Sequence, residues 1–167
     1  MWMKYLTVAG ALSLTALQLV PGPNRDNPRV IGDRTLYHNT AVPANVYATL
    51  QRACMDCHSN ETKWPWYSYV APMSWGMGND VARARKAVNF SEWSAGAGKR
   101  PASAIGVLTA ICADVKSERM PLKKYRLLHP EANLSGAEKE AICFWTTAES
   151  ERYRQLKKKT VISQAAH

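Results

Sequence analysis

The chain has 167 residues, 46% of them hydrophobic, and carries a formal charge of +9 with four cysteines. That length suits one domain, and a basic balance with no nucleic-acid motif points to an acidic protein partner or a membrane surface and away from nucleic acid. There are no internal repeats, and no stretch alternates strongly enough to read as a strand, so an all-α fold is expected.

Tyr5 to Val20 is an apolar run preceded by Lys4 and stopped by Pro21-Gly22-Pro23. It reads as the apolar region of an export signal or as a short membrane helix. Small residues in a cleavage pattern are missing after the run, which favours an uncleaved anchor over residues 1–20. Counted as helix, those 20 residues reach about 30 Å, enough to cross hydrocarbon. Lys4 would then stay inside and the rest of the chain would be single-pass, with its domain on the periplasmic side of the cytoplasmic membrane. Residues 21–42, rich in Pro, Asn, Asp and Arg, read as an extended linker.

Pro43 suits a first helical turn, and Val46 and Leu50 give the following helix an apolar face that runs into Cys54-Met55-Asp56-Cys57-His58. Cys-x-x-Cys-His is the attachment sequence for c-type haem. Two thiols two residues apart can add to the neighbouring vinyl groups of one porphyrin. The adjacent imidazole then reaches the iron from the same side. The competing readings are a redox dithiol and half a zinc site. The first lacks a strand-helix-strand context and the second lacks another Cys or His pair at suitable spacing.

The stretch after the motif holds Trp64, Trp66 and Tyr67 among prolines and polar residues. It reads as a loop whose rings either pack against a haem edge or fill the core. A helix is expected from about Trp75 to Val88 with Ser74 as its cap. Arg83, Arg85 and Lys86 form a basic, solvated stripe on it. Ser94 to Lys99 reads as a loop. Pro101 opens another helix, with Ile105, Leu108, Ile111, Cys112 and Val115 at helical spacing, ending before Met120-Pro121. Ser135-Gly136-Ala137-Glu138 is a capping box. The helix it opens carries Ile142, Cys143 and Trp145, and the domain spanning 43–150 is followed by a basic tail over 151–167. With Cys54 and Cys57 assigned to haem, Cys112 and Cys143 remain, on apolar faces of two helices. A disulfide between them is expected in an oxidising compartment, and two buried thiols are the alternative.

From Cys54 to Ser68, then over Ala71-Pro72-Met73-Ser74-Trp75 and Asn89-Phe90-Ser91-Glu92-Trp93, the chain resembles the bacterial haem-binding-domain family, small exported or membrane-anchored proteins similar to cytochrome c. Met120-Pro121-Leu122, Leu128 to Ala132, Leu134-Ser135 and the Gln18…Arg25-Asp26-Asn27-Pro28 stretch continue the likeness, which covers about residues 18–147. The resemblance implies one covalent haem c in a cytochrome-c-like helical domain, with a His/Met iron site. His58 is the expected proximal ligand. Of the six methionines, Met120 is the expected distal one. It stands in a loop before a proline and falls on the family's Met-Pro step. Met73, Met77 and His129 are its rivals. Two protein ligands leave no open iron position. The expected role is therefore an electron carrier, or a relay subunit of a membrane complex, and not an enzyme. A haem enzyme or gas sensor with a displaceable ligand is the alternative.

Overall fold

The computed structural model describes residues 2–94 and 101–165. The loop expected over Ser94 to Lys99 lies outside them apart from Ser94. Among the described residues there are eight α-helices, short 3-10 turns and no strand. The helices are α1 Trp2–Gln18, α2 Leu36–Asn39, α3 Ala44–Ala53, α4 Met55–His58, α5 Met73–Ala87, α6 Pro101–Lys116, α7 Lys123–Leu128 and α8 Gly136–Ala165.

The core is built where apolar residues recur at helical spacing. Leu50 of α3, Leu108 and Val115 of α6, and Ile142 and Trp145 of α8 are buried together with Leu36, Val46, Phe90 and Trp93. Burial of each Leu or Ile contributes about 1.5–3 kcal/mol. The principal packing is α6 against α8, two antiparallel helices pinned by a disulfide between Cys112 and Cys143, whose Cα atoms are 4.7 Å apart. The capping box at the start of α8 forms in both directions. The Ser135 amide donates to Glu138 Oε2 at 2.8 Å, and the Glu138 amide donates to Ser135 Oγ at 3.2 Å.

Several boundaries differ from those expected. First, the basic segment from 151 on, read as a tail, is helical as far as Ala165, a continuation of α8. Tyr153 is buried and accepts a hydrogen bond from Trp93 Nε1 at 2.9 Å, while Arg152 donates to the Asn39 carbonyl and lies over the Tyr153 ring. The first turns of the predicted tail therefore belong to the domain. Second, α5 starts at Met73 with Pro72 in the capping position, so Ser74 lies inside the helix.

Third, the N-terminal helix is shorter than the membrane span expected of residues 1–20. Its 17 residues reach about 26 Å, against about 30 Å of hydrocarbon. No described helix is long and apolar enough to cross a membrane. The helix ends just ahead of Pro21-Gly22-Pro23, and the Gln18 side chain at its last residue ties it to the domain. Its amide oxygen accepts from the Ala71 amide at 2.9 Å, and its amide nitrogen donates to the Ala71 carbonyl at 3.3 Å.

Fourth, the stretch expected to be an extended linker over 21–42 is extended only as far as Ile31: Gly32–Arg34 forms a 3-10 turn and Leu36–Asn39 forms α2, whose Leu36 is buried in the core, and the extended part is itself pinned to the domain. Pro23 lies so close to Gly78 of α5 that a Cβ there would stand 2.7 Å from Pro23 Cβ. Arg25 donates to the Ser68 carbonyl at 3.0 Å, and Asn27 donates to the Thr62 carbonyl at 2.9 Å.

Candidate functional site

The helix carrying the motif breaks at Cys54, whose φ of −129° and ψ of −38° separate α3 from α4. The Cys54 amide still donates to Leu50 O. In turn the amides of Cys57 and His58 donate to Cys54 O at 3.2 and 2.9 Å. One tight turn thus holds both thiols and the imidazole. Its other side is fixed from within. Met55 is buried and accepts a hydrogen bond from Tyr37 Oη at 2.8 Å. Asp56 accepts from the Lys63 amide at 3.1 Å and from Tyr125 Oη at 2.8 Å, and its carbonyl accepts from Thr62 Oγ1 at 2.6 Å.

His58 Nδ1 lies 3.1 Å from the Val88 carbonyl, just beyond the end of α5. A carbonyl can only accept, so Nδ1 carries the proton and the lone pair on Nε2 is left for a metal. Burial pushes the His58 pKa down, opposed by the backbone carbonyls of Val88 and Ala84. Its neighbour Phe90 has a ring centroid 5.9 Å away.

The two thiols respond to burial in the opposite sense. Cys54 is pushed up to about 12, with the nearby Cys57 adding to the effect. Cys57 is pushed up to about 11, with Asp56 adding to it. A redox dithiol needs a lowered thiol pKa, and this turn raises both. A zinc site needs further ligands, and among the described residues no group of three His, Cys, Asp or Glu could hold a metal ion.

Cys54, Cys57 and His58 open into one cavity of about 450 Å³. Its walls are mostly apolar. They comprise Leu50 and Ala53 of α3, Ala84 and Ala87 of α5, Phe90, and Val107, Ala110, Ile111 and Val115 of α6. Met120, Pro121, Leu122 and Tyr125 close another part of the lining. Charged residues also border it, namely Asp80, Arg83 and Asp114. Such a volume, apolar with a few placed polar groups, is that of a cofactor pocket. The donor types in the lining fit a haem: the Cys54 and Cys57 thiols would hold it covalently, and the His58 imidazole and the Met120 thioether would be its iron ligands.

Met120 reaches this lining because α6 ends in a defined reversal. Glu118 takes a φ of 58°, in the left-handed region. The amides of Arg119 and Met120 then both donate to Asp114 O, at 3.0 and 3.2 Å. The Arg119 guanidinium pairs with the Asp114 carboxylate at 2.6 Å, and Lys139 of α8 pairs with Glu118 at 2.6 Å.

Other expected residues fall elsewhere. None of Trp64, Trp66 and Tyr67 lines the cavity. Trp66 points to solvent, and Tyr67 Oη is 2.6 Å from His129 Nε2. The aromatic packing expected of them against a haem is instead available to Phe90 and Tyr125. Met73 and Met77 are not in the lining either. His129 has both ring nitrogens engaged, Nε2 with Tyr67 and Nδ1 with Glu131 at 3.0 Å, and it stacks on Tyr125 at 4.2 Å. Sequence reasoning missed Tyr125, although it lies one helical turn beyond the Met-Pro step. It also missed the charged border, where Asp80 pairs with Lys124 at 2.5 Å.

The family model of a haem-binding domain matches residues 12–148, from the middle of α1 into α8. No curated protein and no solved structure matches the chain. The match takes in the whole cavity and the turn that opens it, and the chain belongs to the haem-binding domain family.

Proposed function

We propose that the protein is a mono-haem c-type cytochrome that carries or relays electrons and catalyses no reaction of its own. The observation that carries this reading is His58. Its Nδ1 is committed to Val88 O, which leaves Nε2 free in an apolar cavity shared with Cys54, Cys57 and Met120. In this reading Cys54 and Cys57 form the two thioether bonds, His58 is the proximal ligand and Met120 the distal one. When bound, the haem supplies a one-electron couple. The residues around it hold its ligands in place and exclude water, and a thioether ligand favours the reduced state relative to a second imidazole.

The same reading places the domain at the outer face of the cytoplasmic membrane, attached through α1. That helix buries none of its residues against the protein, and Trp2, Met3, Tyr5, Leu6, Val8, Leu12 and Leu14 are all exposed. An apolar helix that its own domain leaves uncovered suits a lipid environment. Redox partners would be acidic proteins or a membrane electron-transfer complex. Lys123, Lys124 and the exposed Leu127 and Leu128 on α7 support a docking face beside Tyr125, with charge around an apolar centre.

The test is spectroscopic. The purified protein should keep its haem through denaturing electrophoresis and should not bind carbon monoxide. Its oxidised spectrum should show the weak far-red sulfur-to-iron band. Met120→Ala should lose that band and gain carbon monoxide binding. A variant that keeps the native band and potential would remove Met120 from the site. A native protein that binds carbon monoxide readily would overturn the carrier reading in favour of an open-site enzyme or sensor.

A further inference from the structure

We propose that the segment from Trp66 to Met73 is a lipid seat, a surface that rests in the headgroup and acyl boundary of a phospholipid bilayer. The inference rests on the attachment through α1 proposed above. The segment is unusual in what it shows to solvent. Trp66 is 77% exposed, Tyr69 60%, Met73 45% and Val70 44%, whereas the same chain buries Trp93 completely. These four large apolar side chains fall within eight residues of sequence.

Their position argues for lipid as the occupant. Ala71, inside the segment, has both its amide and its carbonyl bonded to the Gln18 side chain, at the last residue of α1. The patch therefore lies where the exposed apolar helix meets the domain, and the two surfaces are continuous. The chain that follows α1 is also fixed to the domain beside the patch. Pro23 is seated on Gly78 and Arg25 is bonded to Ser68 O.

The length of α1 adds to this. At about 26 Å it is shorter than the roughly 30 Å hydrocarbon layer, so burying its full apolar length draws the attached domain against the bilayer surface. The chemistry of the patch matches that depth. Trp and Tyr rings favour the interface, with an apolar body and a polar edge. The Arg25 guanidinium stands 4.7 Å over the Tyr69 ring, a cation placed where phosphate groups would be.

The experiment uses full-length holoprotein in nanodiscs of phosphatidylethanolamine and phosphatidylglycerol, one molecule per disc. Hydroxyl-radical labelling is read by mass spectrometry, with each residue normalised to its rate in the unfolded chain. Phe144 on α8, 79% exposed, is the exposed reference and Trp93, 0% exposed, the buried one. The expected result is loss of labelling at Trp66, Tyr69 and Met73 to the level of Trp93, with Phe144 still reactive. Labelling of these residues at the level of Phe144, in protein that co-purifies with discs and is protected at Trp2 and Tyr5, overturns the lipid seat and leaves the attachment standing. It would mean that the segment stays open to water while α1 is attached. Failure of the protein to associate with discs, with Trp2 and Tyr5 labelled, overturns both.

Discussion

Arg85 donates from one guanidinium to the carbonyls of Ser59 and Asp26, to Asn27 Oδ1 and to Thr62 Oγ1, all within 2.9 Å. Three stretches of chain, the linker, the loop after the haem motif and α5, meet on it. In the sequence it is one of three basic residues that look like a solvated stripe, because nothing local distinguishes it from Arg83 and Lys86. Its acceptors lie 23 to 59 residues away. The same limit hid Val88, a backbone acceptor that no residue type signals. By contrast Cys54, Cys57 and His58 were legible because their geometry is contained in five consecutive residues. Glu138 was legible for the same reason, and it carries a pH dependence. The Ser135 amide holds its carboxyl below the ordinary value, helped by the Ser135 hydroxyl and Arg52 and opposed by partial burial. A carboxyl with a depressed folded pKa adds stability above its unfolded value, near 4.5, and loses it as pH falls through the folded one. Glu138→Gln should cost about 0.5–1 kcal/mol at neutral pH. Urea unfolding across pH should show the gap to the native protein closing below the unfolded value. A gap that persists unchanged into acid would refute the electrostatic part of the cap.

Among the elements, α6 and α8 were read from Pro101, the capping box and the apolar spacing, and both are present. Their ends were harder to place. The charge that makes residues 151–159 look like a tail lies on a helix whose Ser150 and Tyr153 are still buried. Hydropathy averaged over the segment does not register a buried minority on one face. The α6–α8 pair carries the Cys112–Cys143 bond, with a sequence separation of 31. Constraining a loop of that size in the unfolded chain is worth about 3–4 kcal/mol. Replacing both cysteines by serine should lower denaturant stability by about that amount. Reduction of the native protein should have a similar effect. Two titratable thiols in the unfolded, unreduced protein, or a double variant as stable as the native one, would contradict this.

At the scale of the whole molecule, a net charge of +9 goes with a small domain whose Cys54-Cys57-His58 turn opens into an apolar cavity. That Lys123 and Lys124 share a helix with the exposed Leu127 and Leu128 was not readable before the Met-Pro step was seen to lead into a helix. The all-α class was readable, since every long apolar period in the sequence was helical. The tie between α1 and the domain was not, because it is a bond from Gln18 to Ala71, 53 residues away. Docking through α7 predicts that electron transfer with an acidic redox protein slows as ionic strength rises. Stopped-flow rates over a salt series should fall, and Lys123→Glu should slow the reaction at low salt and flatten the series. Rates indifferent to both salt and that substitution would exclude α7 as the docking face.

The hydrogen bond from His58 to Val88 has an evolutionary consequence. An acceptor supplied by an aspartate or asparagine disappears with one codon change, and the imidazole then loses its orientation. A main-chain carbonyl is present whichever residue occupies position 88, so the tautomer of the imidazole proposed to bind iron is insulated from drift there. What can disturb it is a shift in where α5 terminates, since the Val88 amide still closes the last turn on Ala84 while its carbonyl turns away to the imidazole. Selection for the ligand's orientation therefore falls on the residues that set the end of that helix.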